Sequence, residues 1–234
     1  MPTTPGARSA GMHTPAAEPG RPTPDCTVRR DAPARPRAFR FDVPAGVQRC
    51  LMWQREQYDR EVVRVDVLHY SSPLGGMLLA ADETGLTGAW FDGASYFGAG
   101  LPDACRERET AVLAAARRWL DGYFSGQEPG ALPPLHPHGT AFQLAVWRLV
   151  LKIPYGQTTS YGALARELAR DRGLPGMSAQ AIGGAVGRNP VSILIPCHRV
   201  VGSNGNLTGY SGGVEKKRFL LALEADGVQR LSVP

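Results

Sequence analysis

The chain has 234 residues, ordinary apolar content and a formal charge of +5, so it can bury one or two cores and suits a polyanionic partner without identifying one. No apolar run approaches the roughly 20 residues that cross a bilayer, and the N-terminus carries no apolar signal core, so a soluble cytoplasmic protein is expected. Cys26, Cys50, Cys105 and Cys197 form no C-x-x-C pair and no regular framework, which argues against a disulfide scaffold, and no short Cys/His spacing marks a zinc site.

Residues 1–38 hold eight prolines and six arginines and almost no large apolar side chains, too little to offset the entropy of ordering. They read as a disordered arm, either solvated and without a role or a basic tether for nucleic acid. Residues 39–60 mix apolar and charged positions without a period, and residues 1–60 together form the extension. Order begins near Arg64. RVDVLHY alternates as a half-buried strand, SSPLGG reads as a turn, and MLLAAD and LTGAWF as two further strands. RERETAVLAAARRWLDGYF supplies a covering helix with Val112, Ala115/Ala116, Trp119 and Tyr123 on one stripe. The Pro/Gly-rich SGQEPGALPPLHPHG then closes a first unit, residues 61–138.

The second unit, residues 139–230, carries the basic character. From Gly139 onward there are eleven Lys/Arg against five Asp/Glu, a net of +6. TAFQLAVWRLVLKI presents Phe142, Ala145/Val146 and Leu149/Val150 on one helical face and stops at Pro154 and Gly156. QTTSYGALARELARD follows, capped by Ser160 or Thr159, with Tyr161, Leu164, Ala165 and Leu168 at i, i+3, i+4 and i+7. SAQAIGGAVGRNP, capped by Ser178, completes a helix-turn-helix pattern. Gly183 and Gly184 in its interior each cost about 1 kcal/mol relative to Ala. Either tight internal packing or a nucleic-acid groove would account for them.

VSILIPCHRVVGSNGNLTGYSGG is the chemical centre. Ile193–Ile195 read as a short extended run, and Cys197 follows Pro196 beside His198. An adjacent imidazole can activate a thiol. Neighbouring side chains on an extended segment point to opposite sides, however, so a bend or a bridging water is required, and a buried structural cysteine stands as the alternative.

IPCHRV, preceded by NPVSILI and followed by GYSGG, resembles the active-site signature of the O6-alkylguanine-DNA alkyltransferases. The similarity extends through PYGQTTSYGALA and KKRFLLALE over residues 139–227, and SSPLGGMLLAADETGLTGAWF resembles that family's first domain. The resemblance implies an α/β protein, with an N-terminal ribonuclease-H-like domain and a C-terminal winged helix-turn-helix-like domain. It implies direct-reversal repair of duplex DNA: stoichiometric transfer of the alkyl group of O6-alkylguanine, or of O4-alkylthymine, to Cys197. His198 would take the thiol proton through a water and Glu224 would orient that imidazole, an oriented-base relay. Tyr161 would donate to the departing base, and Asn189 would tie the helix-turn-helix to the active-site loop. Tyr210 and the Ser211 N–H would form the base pocket, and the carbonyls of Cys197 and Val200 would accept from the guanine amino group. Arg199 reads as structural.

The base must leave the duplex to be reached, and the resemblance implies that the small-residue helix enters the minor groove. The DNA contacts would then be Ala179, Gln180, Gly183, Gly184 and Ser203. One position departs from the family: Gln180 stands where its usual intercalating arginine falls. Neither cofactor nor metal is implied, because the substrate carries its own electrophile and the zinc-binding Cys/His set of some members is not matched. A monomer without an obligate protein partner or membrane is expected. Three rival readings remain to be weighed. A non-catalytic lesion-flagging protein is opposed by the presence of Cys197. A methylation-switched regulator is opposed by the lack of an N-terminal cysteine cluster. A cysteine hydrolase would take its histidine from a distant segment.

Overall fold

In the computed structural model residues 64–231 are described. The extension read as disordered, with Cys26 and Cys50, lies outside them.

β1 (Val65–Ser72) and β2 (Gly75–Ala81) form an antiparallel hairpin. Its turn is fixed by Ser72 Oγ, which donates to the Gly75 carbonyl and accepts from Leu74 N–H. β3 (Leu86–Phe91) pairs antiparallel with β2, and β4 (Cys105–Glu107) pairs parallel with β1, giving the order β3-β2-β1-β4. The sequence pattern places residues 106–110 in the following helix, whereas Arg106 and Glu107 are strand. The reason is electrostatic: buried Asp66 on β1 takes Arg106 at 3.3 Å and Arg108 at 2.7 Å, which holds the segment extended alongside β1.

The helix begins only after Thr110, whose side chain accepts from Leu113 N–H. This is α1 (Ala111–Phe124), and it buries Leu113, Ala116, Leu120 and Tyr123, a stripe one position round from the predicted one. In an alanine-rich helix the two leucines, spaced i and i+7, set the buried face. Val112 and Trp119 lie at its margin. The opposite sheet face also carries a core, built from Val65, Val67, Leu78, Ala80 and Trp90 and covered by Phe97 and Leu101. Burial on both faces explains why β2 and β3 read as continuous apolar runs.

β3 is an edge strand, and its free side is closed twice. The 125–139 connection bonds to Leu86, through Leu86 N–H to the Pro134 carbonyl and His136 N–H to the Leu86 carbonyl, both at 2.8 Å. Further along, Ala89 N–H donates to the Pro190 carbonyl and Ser192 N–H to the Ala89 carbonyl, both at 2.8 Å. The second unit's cysteine loop is thereby stitched to the first unit's sheet.

α2 (Ala141–Val150) starts with a full capping box between Thr140 and Gln143 and ends four residues before Pro154, in turns that follow Val150. α3 (Tyr161–Asp171) is capped by Ser160, and α4 (Ala179–Gly187) by Ser178. β5 (Thr159–Ser160) pairs parallel with β6 (Val200–Val201), joining the start of α3 to the end of the cysteine loop. α5 (Val214–Leu231) closes the fold; the sequence reading did not assign it. Among the described residues, no helix is long and apolar enough to cross a membrane.

The outer edge of the Trp90 ring lies against Gly88, and a Cβ there would run into it. Gly88→Ala is expected to destabilise the fold by about 1–3 kcal/mol through overpacking, measured as a lowered urea midpoint with an unchanged slope.

Candidate active site

The loop before Cys197 is a tight turn, not the extended run expected from its composition. Ile193 has φ +70°, a left-handed conformation rare for a β-branched residue. Leu194 N–H reaches the Ser192 carbonyl and Ile195 N–H the Val191 carbonyl. Ile193, Leu194 and Ile195 are all buried, which an alternating strand against one core would not allow. Asn189 holds the turn from inside: Oδ1 accepts from Val191 N–H, while Nδ2 faces the carbonyls of Val191 and Ile195 at 3.2 and 2.8 Å and Cys197 Sγ at 3.0 Å. Cys197–Arg199 then form one 3-10 turn, which supplies the required bend.

Behind the thiol lies a fully buried carboxylate, Glu224 on α5. Its Oε1 accepts from His198 Nε2 at 2.7 Å, Tyr123 Oη at 2.8 Å and Arg199 Nη2 at 3.0 Å. Its Oε2 accepts from Arg199 Nε at 2.9 Å and Gly156 N–H at 3.0 Å. Arg199 Nη1 also donates to the Ile153 carbonyl, which is the structural role expected of it. Burial alone would raise the Glu224 pKa, but the hydrogen bonds and charges of His198 and Arg199 outweigh it and hold the group at about 2. An ionised carboxylate only accepts, so the His198 ring proton sits on Nε2. The other nitrogen, Nδ1, is buried without a hydrogen-bond partner among the described residues, and its lone pair is left to act as a base.

Burial pushes the Cys197 thiol above its ordinary pKa, opposed by the Asn189 N–H and the charge of Lys217. Burial pushes His198 below its ordinary value against the pull of Glu224. The resting pair at neutral pH is therefore thiol and neutral imidazole. Lys217, also fully buried, donates through Nζ to the carbonyls of Val200 at 2.6 Å and Thr208 at 2.8 Å and stands 5.9 Å from the centre of the Tyr161 ring. Tyr161 Oη donates to the same Thr208 carbonyl at 3.0 Å, and burial raises its phenol pKa, an effect that a thiolate at Cys197 would add to. Tyr210 is buried edge-on to His198, with ring centres 6.5 Å apart, and Ser211 is half-buried beside it. This constellation can deprotonate a shielded thiol at the moment of reaction and oppose the charge with a fixed cation.

Cys197, His198, Glu224, Asn189, Tyr161, Tyr210, Ser211 and Val200 thus fall around one centre. Ala179, Gln180, Gly184 and Ser203 are exposed and Gly183 half-exposed. A Cβ built on Gly183 or Gly184 would stand 3.8 Å from Tyr161 or 3.7 Å from Arg188, ordinary contact distances, so internal packing does not require these glycines. Lys217 and Tyr123 were not singled out for chemistry in the sequence. Lys217, Leu220 and Glu224 lie at i, i+3 and i+7, a pattern that puts the lysine on the buried stripe of α5 and could have revealed it. For potential metal ligands, Asp82, His136 and His138 form the one group of three among the described residues. Asp82 already has His136 Nδ1 at 2.7 Å and accepts from the N–H groups of Thr84 and Gly85, so these hydrogen bonds anchor the connection to the turn after β2.

Comparison with known proteins gives consistent matches. The model of the 6-O-methylguanine DNA methyltransferase DNA-binding domain matches residues 141–226, and that of its ribonuclease-like domain matches residues 68–131. The methylated-DNA–protein-cysteine methyltransferase of Haemophilus influenzae is 41% identical over 157 residues, 67% of this chain and 84% of that protein. Its counterpart in Methanosarcina acetivorans is 41% identical over 156 residues, covering 66% and 95%. The crystal structure of Mycobacterium tuberculosis OGT in complex with DNA aligns with a TM-score of 0.59 at 36% identity, over 70% of this chain and 94% of that one.

Because the Glu224 pKa is depressed in the fold, the carboxylate contributes stability that is fully present above its ordinary value of 4.5 and is lost as pH falls through about 2. Between pH 5 and pH 2 the unsubstituted protein should lose on the order of 3 kcal/mol more stability than Glu224→Gln. Equal losses in urea titrations at the two pH values would show that Glu224 is not held ionised.

Proposed function

The chain belongs to the 6-O-methylguanine DNA methyltransferase family, and on that premise we propose that it repairs DNA by moving the alkyl group of O6-alkylguanine to Sγ of its own Cys197. The observation that carries this reading is the buried thiol beside an imidazole whose Nε2–H is fixed on Glu224 and whose Nδ1 is without a partner among the described residues. In this reading His198 Nδ1 takes the thiol proton through a bridging water, and the thiolate attacks the alkyl carbon. The C–S bond forms as the C–O6 bond breaks, and the electron pair leaves with guanine. Tyr161 gives up its hydrogen bond to the Thr208 carbonyl and donates where that charge develops, and Ser211 N–H donates to O6. The Cys197 and Val200 carbonyls take the exocyclic amino group, the latter steadied by Lys217, and Tyr210 walls the pocket. No group in the site returns a thioether to thiol, so each molecule acts once.

Cys197 is only 3% exposed, so a base inside a duplex is out of its reach, and the nucleotide has to leave the stack. The exposed small-residue face of α4 supports minor-groove entry, with Ala179, Gly183, Gly184 and Ser203 against the DNA and Gln180 filling the gap left by the base. O4-alkylthymine would enter the same pocket with fewer of the amino-group contacts.

After mixing with a duplex carrying one O6-methylguanine, peptide mass spectrometry is expected to find one methyl on the Cys197 peptide and product stopping at one equivalent. Unmodified protein, or continuing turnover, contradicts the reading. Gly184→Ala is expected to stabilise the free protein by up to about 1 kcal/mol and to weaken duplex binding; unchanged binding argues against groove entry. Gln180→Arg is expected to tighten binding to lesion DNA, and no change argues against the role given to that position.

A further inference from the structure

The buried carboxylate receives one hydrogen bond from the other half of the molecule. Tyr123, at the C-terminal end of α1 in the first unit, reaches across to donate to Glu224 Oε1 at 2.8 Å, and its oxygen lies 3.3 Å from His198 Nε2. The ring is fully buried and fixed on several sides: stacked on Trp119 at 5.6 Å, and edge-on to Phe124, Tyr155 and His198 at 5.5, 6.1 and 6.3 Å. Such packing would hold a phenylalanine equally well, so the hydroxyl needs its own explanation.

We propose that Tyr123 is a positioning residue for alkyl transfer, supplied by the first unit, which sets the basicity of His198 by sharing Glu224 Oε1 with it. The inference rests on the reading of Cys197 as alkyl acceptor with His198 as its base. On Glu224 Oε1, which Arg199 Nη2 also reaches at 3.0 Å, the tyrosine hydroxyl and the imidazole N–H compete directly. Charge drawn toward the tyrosine proton is charge not available to an imidazolium, so the hydroxyl makes His198 a weaker base. Its oxygen also offers Nε2–H a second, longer acceptor, which keeps the proton on that nitrogen and Nδ1 toward the thiol. Burial and the charge of Glu224 push the phenol pKa up, so Tyr123 remains a donor throughout.

The other groups facing His198 are Glu224 and Lys217 from α5, Tyr210 from the preceding loop, and Cys197 and Arg199 from its own turn. Among them Tyr123 alone comes from the first unit. That unit is thereby a working part of the site and not only its cover.

The test compares Tyr123→Phe with protein carrying 2,3-difluorotyrosine at position 123, whose more acidic hydroxyl donates more strongly in the same shape. Single-turnover methyl transfer is measured against pH. Transfer requires neutral His198, so the acid limb of the profile follows its pKa. The limb is expected to move up by roughly 0.5–1 pH unit in Tyr123→Phe, the size of one hydrogen bond to a carboxylate, and down with difluorotyrosine, with lesion-duplex affinity unchanged. Profiles that superimpose on that of the unsubstituted protein overturn the proposal, even if stability falls. A 13C titration of His198 without DNA reads the same shifts. Absence of transfer in the unsubstituted protein therefore counts against the acceptor reading, while the titration still decides the role of Tyr123.

Discussion

A carboxylate removed from water must be repaid in hydrogen bonds and countercharge, and Glu224 is buried to zero exposure. Its partners come from three places: Tyr123 on α1, Gly156 in the turn after α2, and His198 and Arg199 on the 3-10 turn, all meeting the oxygens of a residue on α5. The final packing of these elements is a condition for satisfying that one charge. This is why the 3-10 turn, the closing helix and the first unit's helix occupy fixed positions relative to one another.

The charge balance around the thiol follows from the same constraint. Arg199 neutralises Glu224, which leaves Lys217 held by two backbone carbonyls near a neutral thiol and a neutral imidazole; burial pulls the Lys217 pKa down, and a thiolate at Cys197 pulls it back up. An anion such as the thiolate is favoured there at the moment it forms. The resting thiol, kept above its ordinary pKa by burial, is protected from stray electrophiles.

The sequence disclosed more of the site than of the fold's details. IPCHRV and its flanking motifs led to Cys197, His198, Glu224 and Asn189, and the geometry groups these residues. The two strands of the first hairpin were legible but their ends were not: Ser71, Ser72, Gly75 and Gly76, read as turn, are paired in β1 and β2. The start of α1 did not, because the Asp66 ion pairs that hold β4 extended lie some forty residues away in sequence. The Ile193 turn was illegible because an apolar run looks alike whether extended or folded back, and Asn189 decides it through long-range hydrogen bonds. Tyr123 was found on a buried stripe, but its hydroxyl's reach into the other unit is a property of how the two units dock, which no local pattern encodes.

The central claim is that Glu224 fixes His198 as a neutral imidazole with its proton on Nε2 and its Nδ1 lone pair free for the thiol proton. Long-range 1H–15N correlation spectra of histidine-labelled protein at pH 7 read that tautomer directly. The account predicts a protonated Nε2 and an unprotonated Nδ1 for His198. A ring protonated on Nδ1, or on both nitrogens, would contradict it.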